Sequence, residues 1–371
     1  NPLGMTYDSG DYRKAMDRAL ALADWKGFAK RRRESKKKGR LRGLGIANYI
    51  EATSGDPREY AKVDVLPEGR IDVTVGTLSS GQGHETSFAQ CVAEWLGAAV
   101  EQVRLIQGDT DIVPIGGGSH SGRSMRMAGI VMGKASERVI AKAAQIAAHV
   151  LETDAADVTF ADGRFTVKGT DRSIGLFEVA AAAGRRSDLP ENLRGALSAD
   201  CDETVRIPAF PFGSHVCEVE VEPDTGLVEI VRYTAIDDVG RAINPLILHG
   251  QTHGAIAQGV GQALWEHAHY DSASGQLLTG SLLDYALPRA DRLPSFTTEL
   301  SETLAPGNAL GVRAGGEGGT TPALGVVVNA IVDALAEFGV EHLEMPVTPE
   351  RVWRAIQAGK TASGFKSAPG T

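Results

Sequence analysis

The sequence has few of the residues that build a self-contained redox or metal centre. Cys91, Cys201 and Cys217 are the only cysteines among 371 residues and form no C-x-x-C pair, which excludes an iron–sulfur, zinc-ribbon or disulfide framework. A Walker A sequence is missing, and no G-x-G-x-x-G follows a predicted strand, so the ordinary nucleotide-binding folds find no support. No apolar run reaches the roughly 20 residues that a bilayer span requires, and the N-terminus lacks the charged-then-apolar layout of a signal peptide. The expectation is a cytoplasmic protein with no membrane partner. Positive charge is short as well: the formal net charge is −9, whereas nucleic-acid binding needs a positive field. No nucleic-acid partner is therefore expected. The chain opens on Asn1 without an initiator Met, which reads as a processed chain or a fragment.

What is present is a globular composition, 42% hydrophobic and 23% charged, enough for two or more compact units. Apolar spacing predicts a helix over Tyr7 to Trp25, capped by Asp8 or Ser9. Nine basic residues and one acid fill Lys30 to Arg42; with no aromatics interleaved, the run reads as a solvated helix end and linker rather than a nucleic-acid patch. Leu44 to Glu51 reads as a buried strand and Thr53 to Glu59 as a polar loop. Ala61 to Val75 alternates around Pro67-Glu68-Gly69 as a hairpin does, then leads into Ser79-Ser80-Gly81-Gln82-Gly83-His84 and a helix from Glu85 to Leu96. A short strand at Val103 to Gln107 precedes a second glycine- and hydroxyl-rich loop, Gly116 to Ser124, and a long helix from about Met125 to Thr153. Val158 to Val167 forms a small hairpin and Ile174 to Ala183 a helix, while Arg185 to Arg206 reads as an irregular connection.

The second half repeats the first. Val216 to Ile236 is again a hairpin, followed by the loop Asp237 to Pro245 and a helix from Leu248 to Glu266 bearing Gln251. The predicted fold class is α+β, with two similar hairpin-plus-helix subdomains facing one site. The segments are an N-terminal helix and basic linker (1–43), a first subdomain (44–212), a second (213–358) and a tail (359–371).

Glu317 is framed by Gly315, Gly316, Gly318 and Gly319. Glycine lets a ligand approach the main chain closely, so the frame fits a carboxylate pressed against a bulky group; the alternative is a flexible turn whose Glu points into water. A helix follows from Thr320, and helix starts favour anionic ligands. Four segments gather amides, hydroxyls and glycines near helix starts: Gly81 to Thr86, Gly116 to Ser124, Gln251 to Gln262 and Gly315 to Thr320. Such groups suit a large polar, phosphorylated cofactor. The histidines, including His84, His120, His249, His253, His267 and His269, follow no zinc pattern, and no metal ligand is assigned to the protein.

Taken together, these motifs resemble the C-terminal half of the molybdopterin-binding large subunit of the molybdenum hydroxylases, the family of xanthine oxidase and aerobic carbon monoxide dehydrogenase. The likeness runs from N-P-L-G-M-T-Y-D-S-G-D at the start to the helix around Trp353, within the second molybdopterin-binding domain. It implies that Gln82, with Gly81, Gly83 and His84, contacts the pyranopterin in its cytosine dinucleotide form. It further implies that Gly118, Ser119, Arg123 and Ser124 hold the cofactor's polar groups, and that Gln251, Gly316 and Gly318 complete the site. Glu317 would be the catalytic base, removing a proton as an oxygen derived from water attacks an electrophilic carbon of a small-molecule substrate, an aldehyde or N-heterocycle, while hydride passes to the metal centre. The protein would supply no metal ligand. Implied partners are the missing N-terminal half of the large subunit and chains carrying iron–sulfur clusters and FAD. The sequence departs from the pattern at Gly122-Arg123-Ser124-Met125, where S-R-S-T is common, at Arg313, where lysine is common, and in a shorter segment after Thr320. The competing reading is a non-catalytic or degenerate molybdopterin-binding or structural subunit.

Overall fold

The computed structural model describes residues 4–8, 10–206 and 208–362. In chain order its main elements are α1 (Tyr12–Leu22), α2 (Phe28–Lys37), β1 (Leu41–Ile50), β2 (Arg58–Leu66), β3 (Arg70–Val75), α3 (His84–Leu96), β4 (Val103–Ile106) and α4 (Ser124–Val150). There follow β5 (Val158–Ala161), β6 (Arg164–Val167), β7 (Ser173–Gly175), α5 (Leu176–Arg185), β8 (Leu197–Thr204), β9 (Phe212–Val221), β10 (Val228–Asp238), α6 (Pro245–Leu264), β11 (Phe296–Ser301), α7 (Thr320–Ala334) and α8 (Pro349–Ala362). The α+β class is as predicted.

The repeat is visible in the sheets. One has the order β8-β2-β3-β4 and the other β1-β9-β10-β11. In each, a central antiparallel hairpin (β2/β3, β9/β10) receives an antiparallel strand on one side and a parallel strand on the other, β4 beside β3 and β11 beside β10. A parallel pair requires a crossover, and the crossover helices are α3 and α6. The next helix in each half, α4 or α7, packs on its own sheet: Val131, Met132 and Val139 of α4 share a core with Val63, Val73 and Val75, and Val326, Val327 and Ile331 of α7 share one with Cys217, Val219 and Ile230. Burying such Val, Ile and Met side chains stabilises by about 1.5–3 kcal/mol each. The loops preceding α3, α4, α6 and α7 are thus topologically equivalent in pairs.

The structure differs from expectation at several elements. The strand expected at Leu44 to Glu51 in the first unit runs over Leu41–Ile50 and pairs with Phe212–Val221, from Leu41↔Val221 to Ile50↔Phe212. Its Gly43 and Gly45 let it lie on α7: a Cβ at either would come within 1.9 and 2.2 Å of the Ala330 and Val326 carbonyl oxygens. The expected irregular stretch Arg185 to Arg206 contains β8, which pairs with β2. β11 also goes unforeseen. The cap of α1 is Asp11, which accepts from the Lys14 amide; Asp8 instead binds Arg313, and Ser9 lies outside the described residues. So does the expected loose tail beyond Gly364.

The basic run is a helix end, as expected, with Lys30, Arg33, Lys36, Lys37 and Lys38 exposed, but it runs on into β1 rather than into a linker. Arg31 of α2 and Arg42 of β1 reach the buried Glu218 of β9 at 2.5 and 2.8 Å, and Arg42 reaches Glu220 at 3.0 Å. A buried carboxylate needs partners of opposite charge, and the arginines supply them. No described helix is long and apolar enough to cross a membrane.

A cleft between four helix starts

The equivalent loops of the two units close on one cleft of about 570 Å³. Its walls are Ser80–Gln82 and the first turns of α3, Ser119–Met125 at the start of α4, Val239 to Gln251 across the start of α6, and Val312–Glu317 just before α7. Four helix N-termini therefore approach one cavity, each bringing the partial positive charge of a helix start. The units also interlock there. A Cβ on Gly83 would lie 2.7 Å from Ile247, and one on Gly122 would lie 2.4 Å from the Ala314 side chain. Asn244 caps α6 by accepting from the Ile247 amide and donates to the Gln90 Oε1 of α3 at 2.9 Å.

On the first wall, Gln82 donates from Nε2 to the Ser119 hydroxyl at 2.6 Å, and that hydroxyl lies 2.6 Å from Ser124 Oγ. One polar chain so links the loops before α3 and α4. Gly81 has φ +100°, and a Cβ there would meet nothing within 4 Å, so the backbone faces open space. His84 is buried, stacks on Phe88 at 4.4 Å and is pushed below its ordinary pKa by burial. Burial thus favours its neutral form.

Arg123 proves to be structural cement for this wall. It is fully buried, pairs with the equally buried Glu59 at 2.7 Å, and donates to the carbonyls of Asp56, Gly118 and Arg58 at 3.0, 2.6 and 2.9 Å. Gly118, with φ +74°, is held by that bond. Burial raises the Glu59 carboxyl pKa against the opposing pull of Tyr60, Arg123 and Gly117.

On the second wall, Gln251 stands beside Gly316, 4.0 Å from where a Cβ would lie, and among the described residues its side chain makes no hydrogen bond. Arg241, which sequence reasoning did not single out, lines the cleft as an exposed cation. Arg313 is fully buried, held by Asp8 at 2.7 Å and by Asp238 at 3.5 Å, and fixes the strand entering the Glu317 loop. Glu317 itself is exposed on the cleft wall. Its carbonyl accepts from the amides of Thr320 and Thr321 and so starts α7.

Beneath the loop lies a buried network. Tyr49 Oη donates to Asp237 Oδ1 at 2.8 Å, and His215 bridges Asp237 at 3.0 Å and Tyr233 at 2.9 Å. Burial alone would raise the Asp237 carboxyl, but His215, Tyr49 and Thr252 hold it below its ordinary value. A Cβ on Gly318 would come within 2.4 Å of Tyr49 Oη, so only glycine lets the loop rest on this network.

Of the residues expected to form a site, Gly81, Gln82, His84, Ser119, Arg123, Ser124, Gln251, Gly316 and Glu317 line the one cleft. Gly83, Gly118 and Gly318 stand a layer behind and shape it. No group of three or more His, Cys, Asp or Glu side chains with metal-binding geometry occurs among the described residues. Beside amides and hydroxyls, the lining includes His84, His120 and the arginines Arg123, Arg241 and Arg313, of which Arg241 and His120 are exposed.

Comparison with known proteins gives this geometry a context. The molybdopterin cofactor-binding domain family matches residues 18–294. The chain is 37% identical over 354 residues to the 6-hydroxypseudooxynicotine dehydrogenase complex subunit gamma of Paenarthrobacter nicotinovorans, covering 95% of this chain and 44% of the relative. It is 32% identical over 369 residues to the carbon monoxide dehydrogenase large chain of Hydrogenophaga pseudoflava, covering 95% and 46%. The crystal structure of the Cu,Mo carbon monoxide dehydrogenase in its carbon monoxide reduced state superposes with a TM-score of 0.89 at 31% identity, over 99% of this chain and 47% of that one. The chain thus spans about half the length of the curated relatives it matches.

Proposed function

The chain belongs to the molybdopterin-binding large-subunit family of the molybdenum hydroxylases, and from this we propose that its cleft holds the molybdopterin cofactor with Glu317 as proton acceptor. The observation that carries the proposal is the convergence of four helix starts on one cavity lined by amides, hydroxyls, histidines and arginines, with a single carboxylate on the wall. The residues fit the group. Open backbone at Gly81 and Gly316 leaves room for a flat ring system, the Gln82 and Gln251 amides offer donors and acceptors, and Arg241 with the helix N-termini suits phosphate oxygens, in keeping with a cytosine dinucleotide form.

When bound, the cofactor supplies the two-electron redox chemistry. The chain's residues orient it and move a proton: Glu317 takes up the proton released as oxygen from water joins the substrate carbon. We propose an aldehyde or N-heterocycle as substrate, with electrons passing to iron–sulfur and flavin-bearing partner chains, and with the remainder of a longer large subunit completing the pocket. Residues 1–371 expressed alone should then show no steady turnover with an artificial acceptor. Stoichiometric molybdenum with sustained turnover would refute that dependence.

The test of the function is molybdenum and cytidine nucleotide analysis of the natively purified complex, joined to a dye-reduction screen over aldehydes and N-heterocycles. Bound cofactor without turnover on any of them would favour the non-catalytic reading.

A second expectation separates binding from folding. Gln251→Ala and Gln82→Ala should each lower molybdenum content, since every cofactor group left without its partner costs about 1–3 kcal/mol. Only Gln82→Ala should also lower the melting temperature, because only Gln82 braces Ser119. Unchanged metal content in both variants would remove these amides from the site.

A further inference from the structure

Glu51 follows β1 by one residue, and its amide still donates to the Pro211 carbonyl at 2.9 Å, so the extended backbone continues through it. Residues two apart on extended chain face the same way. Glu51 therefore shares the side of Tyr49, whose hydroxyl lies under Gly318, so its carboxyl faces the loop that carries Glu317, the residue before Gly318. One oxygen of Glu51, Oε2, is buried and finds no hydrogen-bond donor among the described residues. The neighbouring ionisable groups are engaged elsewhere: Tyr49 with Asp237, Asp237 with His215, Arg123 with Glu59, and Arg313 with Asp8 and Asp238. Glu317 is the charge that faces Glu51.

Two carboxyls that face each other cannot both be ionised cheaply; one proton is shared, and the more buried group keeps it. Glu51 is half-buried and Glu317 exposed. We infer that Glu51 is a positioning residue for Glu317, its protonated carboxyl donating a hydrogen bond that aims the Glu317 carboxylate into the cleft and leaves it free to accept a proton. The inference rests on the reading of Glu317 as base. Burial first, then the nearby Glu317 charge and the bond to it, raise the Glu51 carboxyl from 4.5 to about 7. As pH rises through that value, Glu51 releases its proton to solvent, the bond is lost and two anions face each other.

The sign follows for stability as well. A carboxyl raised on folding stabilises fully below its unfolded value, and that contribution is lost as pH rises through about 7. The test uses the assembled enzyme with Glu51→Gln, Glu51→Ala and Glu317→Gln. An activity limb falling with a midpoint near 7 is expected of the wild type, with a melting temperature that falls between 4.5 and about 7 and levels off above it. Glu51→Gln keeps an N–H donor at every pH, so both pH dependences should flatten. Below the midpoint Glu51→Ala should be slower than Glu51→Gln by about tenfold to a hundredfold, the equivalent of one hydrogen bond to a charged group.

Infrared difference spectroscopy provides a readout independent of activity and of the Glu51 variants' folding. A carboxylic-acid C=O band should titrate near pH 7 in the wild type and at lower pH in Glu317→Gln, where the repelling charge is gone. Absence of that band, or wild-type pH curves in Glu51→Gln, would overturn the inference. Full activity in Glu317→Gln would instead overturn the base assignment, so the two failures are distinguishable.

Discussion

Glu317→Gln in the assembled enzyme is expected to lower turnover by about 10²–10⁴-fold, the usual contribution of a general base, with molybdenum content close to that of the wild type. Glutamine keeps the size and planarity of glutamate but cannot take up the proton. The loop should survive the change, because what fixes it is the main chain. The Glu317 carbonyl accepts from the Thr320 and Thr321 amides, Arg313 holds the incoming strand, and Gly318 rests on Tyr49. A loss of metal together with activity would mean that the side chain holds the cofactor. Activity within a few fold of wild type would remove Glu317 from the chemistry.

The residues that form the cleft were legible to different degrees, for physical reasons that can be traced. The hairpins β2/β3 and β9/β10 announce themselves by alternation in the sequence, which burial follows in β2 but not in β9, buried along nearly its whole length, and the Gly-rich turns after them mark helix starts. The long core helices follow from their periodicity. By contrast, β8 and β11 are short on large apolar residues: β8 alternates only through the small Ala199 and Cys201 beside Leu197, and in β11 Thr298 interrupts Phe296 and Leu300. Such strands at or near a sheet edge are defined by a partner distant in sequence, not by local pattern. β1 has a strand-like pattern, but its neighbour begins at Phe212, across the whole first unit.

Charged residues were harder still. In V-E-V-E of β9 the glutamates look solvent-facing, and the run in α2 looks like a solvated basic stretch; each is explained only by the other, some 185 residues away. Arg123 sits among glycines and hydroxyls and so reads as a ligand-binding cation, yet Glu59 neutralises it in the interior. Glu51 gave no signal at all. A lone acid at the end of a strand acquires meaning only when the loop before α7 folds back against it.

The same pair shows what a buried charge does for this site. Glu59→Leu should destabilise the protein by about 3–5 kcal/mol, because it leaves the guanidinium of Arg123 buried without its counter-charge. Both side chains are wholly inaccessible, so solvent offers little screening. The damage should spread to the cleft. Arg123 holds Gly118 through its carbonyl, Gly118 precedes Ser119, and Ser119 joins Gln82 to Ser124. A loosened Arg123 therefore loosens the wall contributed by two loops, and molybdenum content should fall along with stability. Replacing both members by apolar residues of similar size, Glu59→Leu with Arg123→Met, should recover much of the stability, as buried ion pairs often tolerate joint replacement. It should not recover the cofactor, because no donor then reaches the Gly118, Asp56 and Arg58 carbonyls. Denaturant midpoints and metal analysis on the two single variants and the double variant separate these effects. If the double variant loses as much stability as the sum of the singles, the pair is not coupled in the way its 2.7 Å contact requires; if it binds molybdenum normally, Arg123 does not shape the cofactor wall.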